Sequence, residues 1–258
     1  MQDYWYKQTK EKPLFPDLIW SKPENKLTAG KLLIIGGNAH GFTAPATAYA
    51  EAVNAGTGTV RVLLPDSLSK TVGRQFSAGE FATSTPSGSF SQQALAEFMD
   101  LSVWADGVLI AGDLGRNSET TVLLEKYVSK SKALLTLVND AVDDFVTTTN
   151  GITERQDTLL VLSLNQLQKL YSTLKLPTAV THSMDLLRLV EALHELTLKF
   201  PFFVITHHLG QIMVAIGGEV STTPKDQPLT QIAAHASVWW LQNPSKPFEA
   251  LTSSLVSP

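Results

Sequence analysis

A chain of 258 residues with 43% hydrophobic and 17% charged side chains can fill one large core and carries too few charges for a disordered chain. Its net charge of -4, with no block of like charge, argues against a nucleic-acid backbone as partner and leaves nothing that reads as a binding tail. The absence of cysteine excludes disulfides, thiolate nucleophiles and cysteine-held metals together, and no apolar run approaches the roughly 18 residues of a membrane span. The opening MQDYWYKQTKEKP lacks the apolar stretch of a signal peptide, and with the missing cysteines it fits a cytoplasmic protein.

Residues 1–30, rich in Lys, Pro and Trp, read as an arm lying across one domain of residues 31–258. Lys31-Leu32-Leu33-Ile34-Ile35-Gly36 predicts a strand over 31–36, continuously apolar because both of its faces are covered. PATAYAEAVNAG then predicts an Ala-rich helix stopped at Gly56, and GTVRVLLPD a strand over 59–64. SAGEFATSTPSGSFSQQ reads as a flexible loop from its Ser, Thr, Gly and Pro content. Strands over 107–111, 133–138 and 158–162 follow, with a helix in NSETTVLLEKYVSK and another in MDLLRLVEALHELTLK. Phe202-Phe203-Val204-Ile205-Thr206 and Gln211-Ile212-Met213-Val214-Ala215 are close enough for a hairpin, and a helical run extends from Pro228 to Gln242. Strand–helix alternation predicts a three-layer αβα sandwich, its sheet mainly parallel with a late antiparallel hairpin. Ligands of such sheets lie beyond the carboxyl ends of the strands, so 36–41 and 112–115 are the first candidate sites.

Gly36-Gly37-Asn38-Ala39-His40-Gly41 fits close backbone approach to a ligand and fits a plain tight turn equally well. Gly112-Asp113-Leu114-Gly115-Arg116 reads as a functional loop or an ordinary turn. Asp140, Asp143 and Asp144 follow a strand, where a general base, a metal ligand or the acidic start of a helix are all compatible. His207 and His208 point to opposite faces of a strand, none of the six histidines is four residues from another, and no metal site is expected. No G-x-S-x-G elbow occurs, so Ser-His-Asp chemistry has no support in the sequence. Trp239 and Trp240 are adjacent on a helix and are not expected to share one core. One of them covers the domain edge or meets another chain, which predicts self-association through this helix.

LLIIGGNAHGFTAPATAYAEAVNAGTGTVRVLLP resembles the opening of the ribokinase-like ATP- or ADP-dependent NAD(P)H-hydrate dehydratases. That family has Gly-Gly-Ser-x-x-Tyr-Thr-Gly-Ala-Pro after its first strand, and Asn38, Phe42, Thr43, Ala44 and Pro45 take the matching places. Lys26 and Gly30 match the approach to that strand, and ADGVLIAGDLGRNSET is similar to the strand leading into Gly-Pro-Gly-Leu-Gly-Arg. Leu137-Val138-Asn139-Asp140-Ala141-Val142 resembles Leu-Asp-Ala-Asp-Ala-Leu, and Pro247-Phe248-Glu249-Ala250 resembles the start of a late helix. The resemblance implies a ribokinase-like fold, dehydration of hydrated nicotinamide cofactors at the expense of ATP or ADP with magnesium, and a homo-oligomer. It implies a nucleotide-like ligand on the side formed by Gly37, Asn38, Gly41, Ala44, Gly112 and Gly115.

The second half departs from the family. Its Thr-Pro-His-Pro-Gly-Glu falls on Val161-Leu162-Ser163-Leu164-Asn165-Gln166, and its Lys-Gly pair beside the phosphates falls on Thr206-His207. Its Gly-Thr-Gly-Asp falls on Pro228-Leu229-Thr230-Gln231, which places Gln231 at the position of the base. Pro228 removes an amide from an anion-binding turn, and a neutral glutamine accepts no proton. Two classes of function follow. One is a catalytically impaired homologue, keeping a ligand pocket or acting as the non-catalytic partner of an active relative. The other is an active dehydratase or small-molecule kinase using other residues, with Asp140 as the fallback base.

Overall fold

The computed structural model describes residues 3–23, 25–73, 76–149 and 151–257. Met1, Gln2 and Glu24 of the expected arm, and Arg74, Gln75, Asn150 and Pro258 of the expected domain, lie outside the described residues. The chain opens with β1 (Trp5–Lys7), α1 (Pro16–Trp20), β2 (Lys31–Gly36), α2 (Thr43–Asn54), β3 (Thr59–Pro65), α3 (Ser69–Val72) and β4 (Gly79–Ala82). It continues through α4 (Leu95–Trp104), β5 (Gly107–Gly112), α5 (Ser118–Lys130), β6 (Leu134–Val138), α6 (Asp140–Thr148), β7 (Thr158–Leu162) and α7 (Leu164–Thr173). It closes with α8 (Leu186–Lys199), β8 (Phe203–His208), β9 (Gln211–Ile216), β10 (Glu219–Pro224), α9 (Leu229–Gln242) and α10 (Pro247–Ser254).

The strands form one ten-stranded sheet in the order β1-β10-β9-β8-β7-β6-β5-β2-β3-β4. All neighbours run parallel except β9, which is antiparallel to both β8 and β10. The period-two alternation of the strands sorts their side chains between two cores. Leu33, Ile35, Val108, Ile110, Leu135, Leu137, Leu160 and Val204 face the layer holding Phe98, Tyr127, Phe145, Leu167 and Leu193 of α4 to α8. Leu32, Ile34, Val62, Leu109, Leu159, Val161 and Ile205 face Ala48, Ala52, Ala233, Ala236, Trp240 and Leu251 of α2, α9 and α10. The fold is the three-layer αβα sandwich expected, with its late antiparallel hairpin extended by β10 into a meander.

Several details differ from the sequence reading. The expected arm supplies β1, which pairs parallel with β10 from Trp5–Val220 to Lys7–Thr222. The expected flexible loop at 77–93 contains β4, which pairs with β3. It also contains a turn in which the Thr85 and Ser89 backbones are joined. Its four-residue strand is too short to carry a hydrophobic period. The two adjacent tryptophans are both buried, Trp239 and Trp240 each 1% exposed. Trp240 meets Phe203 edge-on at 5.2 Å on the sheet side, while the Lys22 ammonium lies 4.9 Å from the Trp239 ring. The helix has protein on both sides because the segment after α1 covers it. The indoles therefore leave no apolar patch, and the motive for self-association through them is gone.

Candidate functional site

β2 is followed by α2 on one face of the sheet, whereas β5 and β6 are followed by α5 and α6 on the other. The connection reverses between the neighbouring strands β2 and β5, which leaves a crevice at their carboxyl ends. The glycines there let backbones close on one another. The Gly37 amide donates to Gly112 O at 3.0 Å, and a Cβ on Gly36 would stand 2.5 Å from that same oxygen. Gly112 has φ of 109°, and a Cβ on it would meet Asp140 Oδ1 at 2.7 Å.

Polar groups from five elements meet at this point. Asn38 Nδ2 donates to Asp113 O at 2.6 Å, and the Ala44 amide, in the first turn of α2, donates to Asp113 Oδ2 at 2.7 Å. Asp113 has φ of 57°, a conformation Asp tolerates better than most residues. The Leu114 amide donates to Asp140 Oδ2 at 2.9 Å, while Asp140 Oδ1 is buried without a hydrogen-bond partner. Asn139, with φ of 58°, donates from Nδ2 to Ala111 O at 2.7 Å and to Thr230 Oγ1 on α9 at 2.9 Å. Gln166 Nε2 donates to Asn139 O and to Asp143 Oδ1, both at 2.9 Å. Such a left-handed residue costs about 1–3 kcal/mol and persists where its neighbours hold it, as these bonds hold Asn139.

The structure thus brings Gly37, Asn38, Ala44, Gly112, Asp140 and Thr230 into one network. Gly41 is bridged to Asn38, and a Cβ on Gly115 would lie 2.7 Å from Ser89 Oγ and 3.6 Å from Asn38 Cγ. Pro228 is the N-cap of α9, with no side-chain cap, and its carbonyl receives the Gln231 and Ile232 amides. Gln231 Oε1 accepts from Gln227 Nε2 at 3.2 Å. Thr206 and His207 sit at the carboxyl end of β8, and neither Thr206 Oγ1 nor His207 Nε2, both buried, has a hydrogen-bond partner. No described hydrogen bond ties those two residues to the network. Among the described residues no cluster of three or more His, Asp or Glu side chains is arranged to hold a metal.

Asp113 and Asn139 lie inside the glycine and aspartate motifs, and the sequence alone points to no role for either. Their signal was weak: a residue type that tolerates left-handed backbone, placed directly after a strand. A cavity of about 560 Å³ lined by Ser131, Thr149, Glu154 and Arg155 lies away from the crevice. The Arg155 guanidinium beside it donates to the carbonyls of Ser131, Ala133, Gln156 and Asp157 and works as a backbone clamp.

Burial pushes the Asp140 carboxyl above its ordinary range, the Leu114 amide partly opposes this, and the Asp113 charge adds to it. A carboxyl raised on folding contributes stability that is fully present below its unfolded value and lost as pH rises through its folded value. Asp140→Asn is therefore expected to gain on the wild type between pH 4 and pH 7, as read by urea unfolding at both. A difference constant with pH would show that Asp140 does not titrate above the usual carboxylate range.

No family model and no curated protein matches this sequence. Solved structures do. A ribokinase-like superfamily protein from Enterococcus faecalis is 15% identical with a TM-score of 0.74, covering 100% of this chain and 87% of that one. The ADP/ATP-dependent NAD(P)H-hydrate dehydratase from Bacillus subtilis, co-crystallised with ATP and magnesium, is 12% identical with a TM-score of 0.65, covering 95% of this chain and 86% of that one. Phosphomethylpyrimidine kinase from Clostridium difficile is 10% identical with a TM-score of 0.53, covering 88% of this chain and 97% of that one. Identities this low speak to architecture and not to chemistry, and on that ground the chain has the ribokinase-like fold.

Proposed function

We propose that this chain is a catalytically impaired relative of the ATP- or ADP-dependent NAD(P)H-hydrate dehydratases, keeping the crevice for a nucleotide-like ligand and lacking the machinery for phosphoryl transfer. The observation that carries the reading is the first turn of α9. Pro228 occupies its cap without an amide, Thr230 accepts from Asn139, and Gln231 is held by Gln227. Phosphoryl transfer rests on positioned donors and a base at that turn, and none of these side chains is a base or a cation. The family's magnesium and ATP would belong at this same turn, and the donors present do not suit them. On this reading the chain acts as a binding protein, alone, as a homo-oligomer, or beside an active relative.

A thermal-shift series tests it. Hydrated NADPH or NADPH is expected to raise the melting temperature, and ATP or ADP with magnesium is not. A ligand binding only the folded state adds about 2.7 kcal/mol at a hundredfold excess over Kd. Stabilisation by ATP alone would contradict the proposal.

One observation favours a second reading, an active enzyme with Asp140 as base. Its Oδ1 is buried without a partner and its carboxyl is raised by burial, a common state for a general base. Asp140→Asn separates the two readings, since it abolishes turnover in the second and leaves ligand-induced stabilisation in the first.

A further inference from the structure

A second polar constellation lies where α2, α9 and the segment after α10 meet. His235 on α9 is buried, with Nδ1 2.8 Å from Glu51 Oε1 on α2 and Nε2 2.8 Å from Ser257 Oγ. A carboxylate only accepts, so the proton of the neutral ring sits on Nδ1 and leaves Nε2 as an acceptor. The Ser257 hydroxyl then donates to Nε2, at a shorter distance than the 3.2 Å to Ser254 O. Carboxylate, imidazole and hydroxyl stand in the order in which a ring is oriented and an alcohol activated.

The surroundings decide the protonation state of the ring. Burial disfavours the imidazolium, the Glu51 carboxylate opposes this, and the Lys225 and Lys22 charges reinforce it. Those groups face His235 from α2, from the segment after β10 and from the segment after α1, and the Trp239 ring stacks at 6.5 Å. Ser257 is buried, with 8% of its surface exposed. The Leu255, Val256 and Ser257 amides are all bonded to Thr252 or Ser253 carbonyls, so none of them is free to hold an oxyanion.

We propose that Ser257 is a reactive serine, activated by His235 and Glu51, that takes an acyl group from a small ester. Ser257 Oγ bonds to the ester carbonyl carbon as its proton passes to His235 Nε2. The bond to the alcohol oxygen then breaks, and the alcohol leaves with that proton. Water attacks the acyl-serine, its proton travels through His235 back to Ser257 Oγ, and the carboxylic acid departs. With no backbone amide free to hold the oxyanion, acylation and release are both slow, and an activated ester or phosphonate is needed to report the first step.

The full chain treated with a fluorophosphonate, and separately with p-nitrophenyl acetate, tests this by peptide mass spectrometry. The expected adduct is on Ser257 and is absent in Ser257→Ala. His235→Gln slows labelling by about 100-fold, as loss of a general base does. The labelling rate of the wild type rises with pH as His235 becomes neutral. Folded wild-type protein left unlabelled at Ser257 overturns the proposal, and so does His235→Gln labelled at the wild-type rate. Should His235→Gln not fold, Glu51→Gln and the pH profile decide: burial moves the titration of His235 below its ordinary range, so a rate that stays flat down to about pH 4 is fatal to a histidine base.

Discussion

Purified protein offered hydrated NADPH with ATP or ADP is expected to consume neither nucleotide at a measurable rate. Three separate substitutions point the same way. The resemblance places Gln231 at the position of the family base and Thr206 at that of its phosphate lysine, and Pro228 withdraws an amide from the start of α9. Losing a general base costs about 100- to 10,000-fold, and each missing oxyanion donor roughly 100- to 1,000-fold more. Typical enzymes turn over about 1 to 1,000 times per second, so the product of these factors lies below detection in a coupled nucleotide assay. Gln231→Asp alone is expected to restore nothing, because Pro228 and Leu229 still fail to form an anion-binding turn. Wild-type turnover near one per second would refute the impaired reading and direct attention to Asp140.

Replacing Trp240 with alanine is expected to lower the unfolding free energy by about 2 kcal/mol, the balance of a cavity and a relieved polar penalty. A buried tryptophan cut to alanine leaves a cavity costing about 3–5 kcal/mol. Against this, the Trp240 Nε1 is buried without a hydrogen-bond partner, and removing it relieves a penalty of about 1–3 kcal/mol. The cavity term wins, since the ring fills the space between α9 and the sheet beside Phe203. Set against a total stability of about 5–15 kcal/mol, the variant should unfold at visibly lower urea with its hydrodynamic mass unchanged. A change of mass with no loss of stability would place the indole at a subunit contact instead.

Much of the sheet could be read from sequence because its central strands are buried on both faces. Leu32 to Ile35, Val108 to Ala111 and Leu159 to Leu162 are short apolar runs ended by glycine or a helix start, and their physics is local. The outer strands are another matter. GEFA in β4 and EVSTTP in β10 carry little hydrophobic signal, and they are strands because β3 and β9 offer them unpaired edges. β1 pairs with a strand more than 200 residues later, as Gln8 donating to Thr223 shows at a separation of 215. No local pattern announces such a contact.

The candidate sites divide in the same way. Glycines at 36–37 and 112–115, after two apolar runs, located the crevice because strand ends and switch points follow from alternation alone. That Asp113 caps α2 through Ala44, and that Asn139 ties β5 to α9 through Thr230, came only from packing. The relay is the plainest case. Glu51 and His235 are 184 residues apart, and His235 and Ser257 are 22 apart, with no motif around any of them. Composition and local periodicity determined the class of fold and the end of the sheet at which the crevice opens. Which side chains meet depended on long-range packing of α2, α9 and the chain after α10, because a hydrogen bond depends on distance in space and not on separation along the chain.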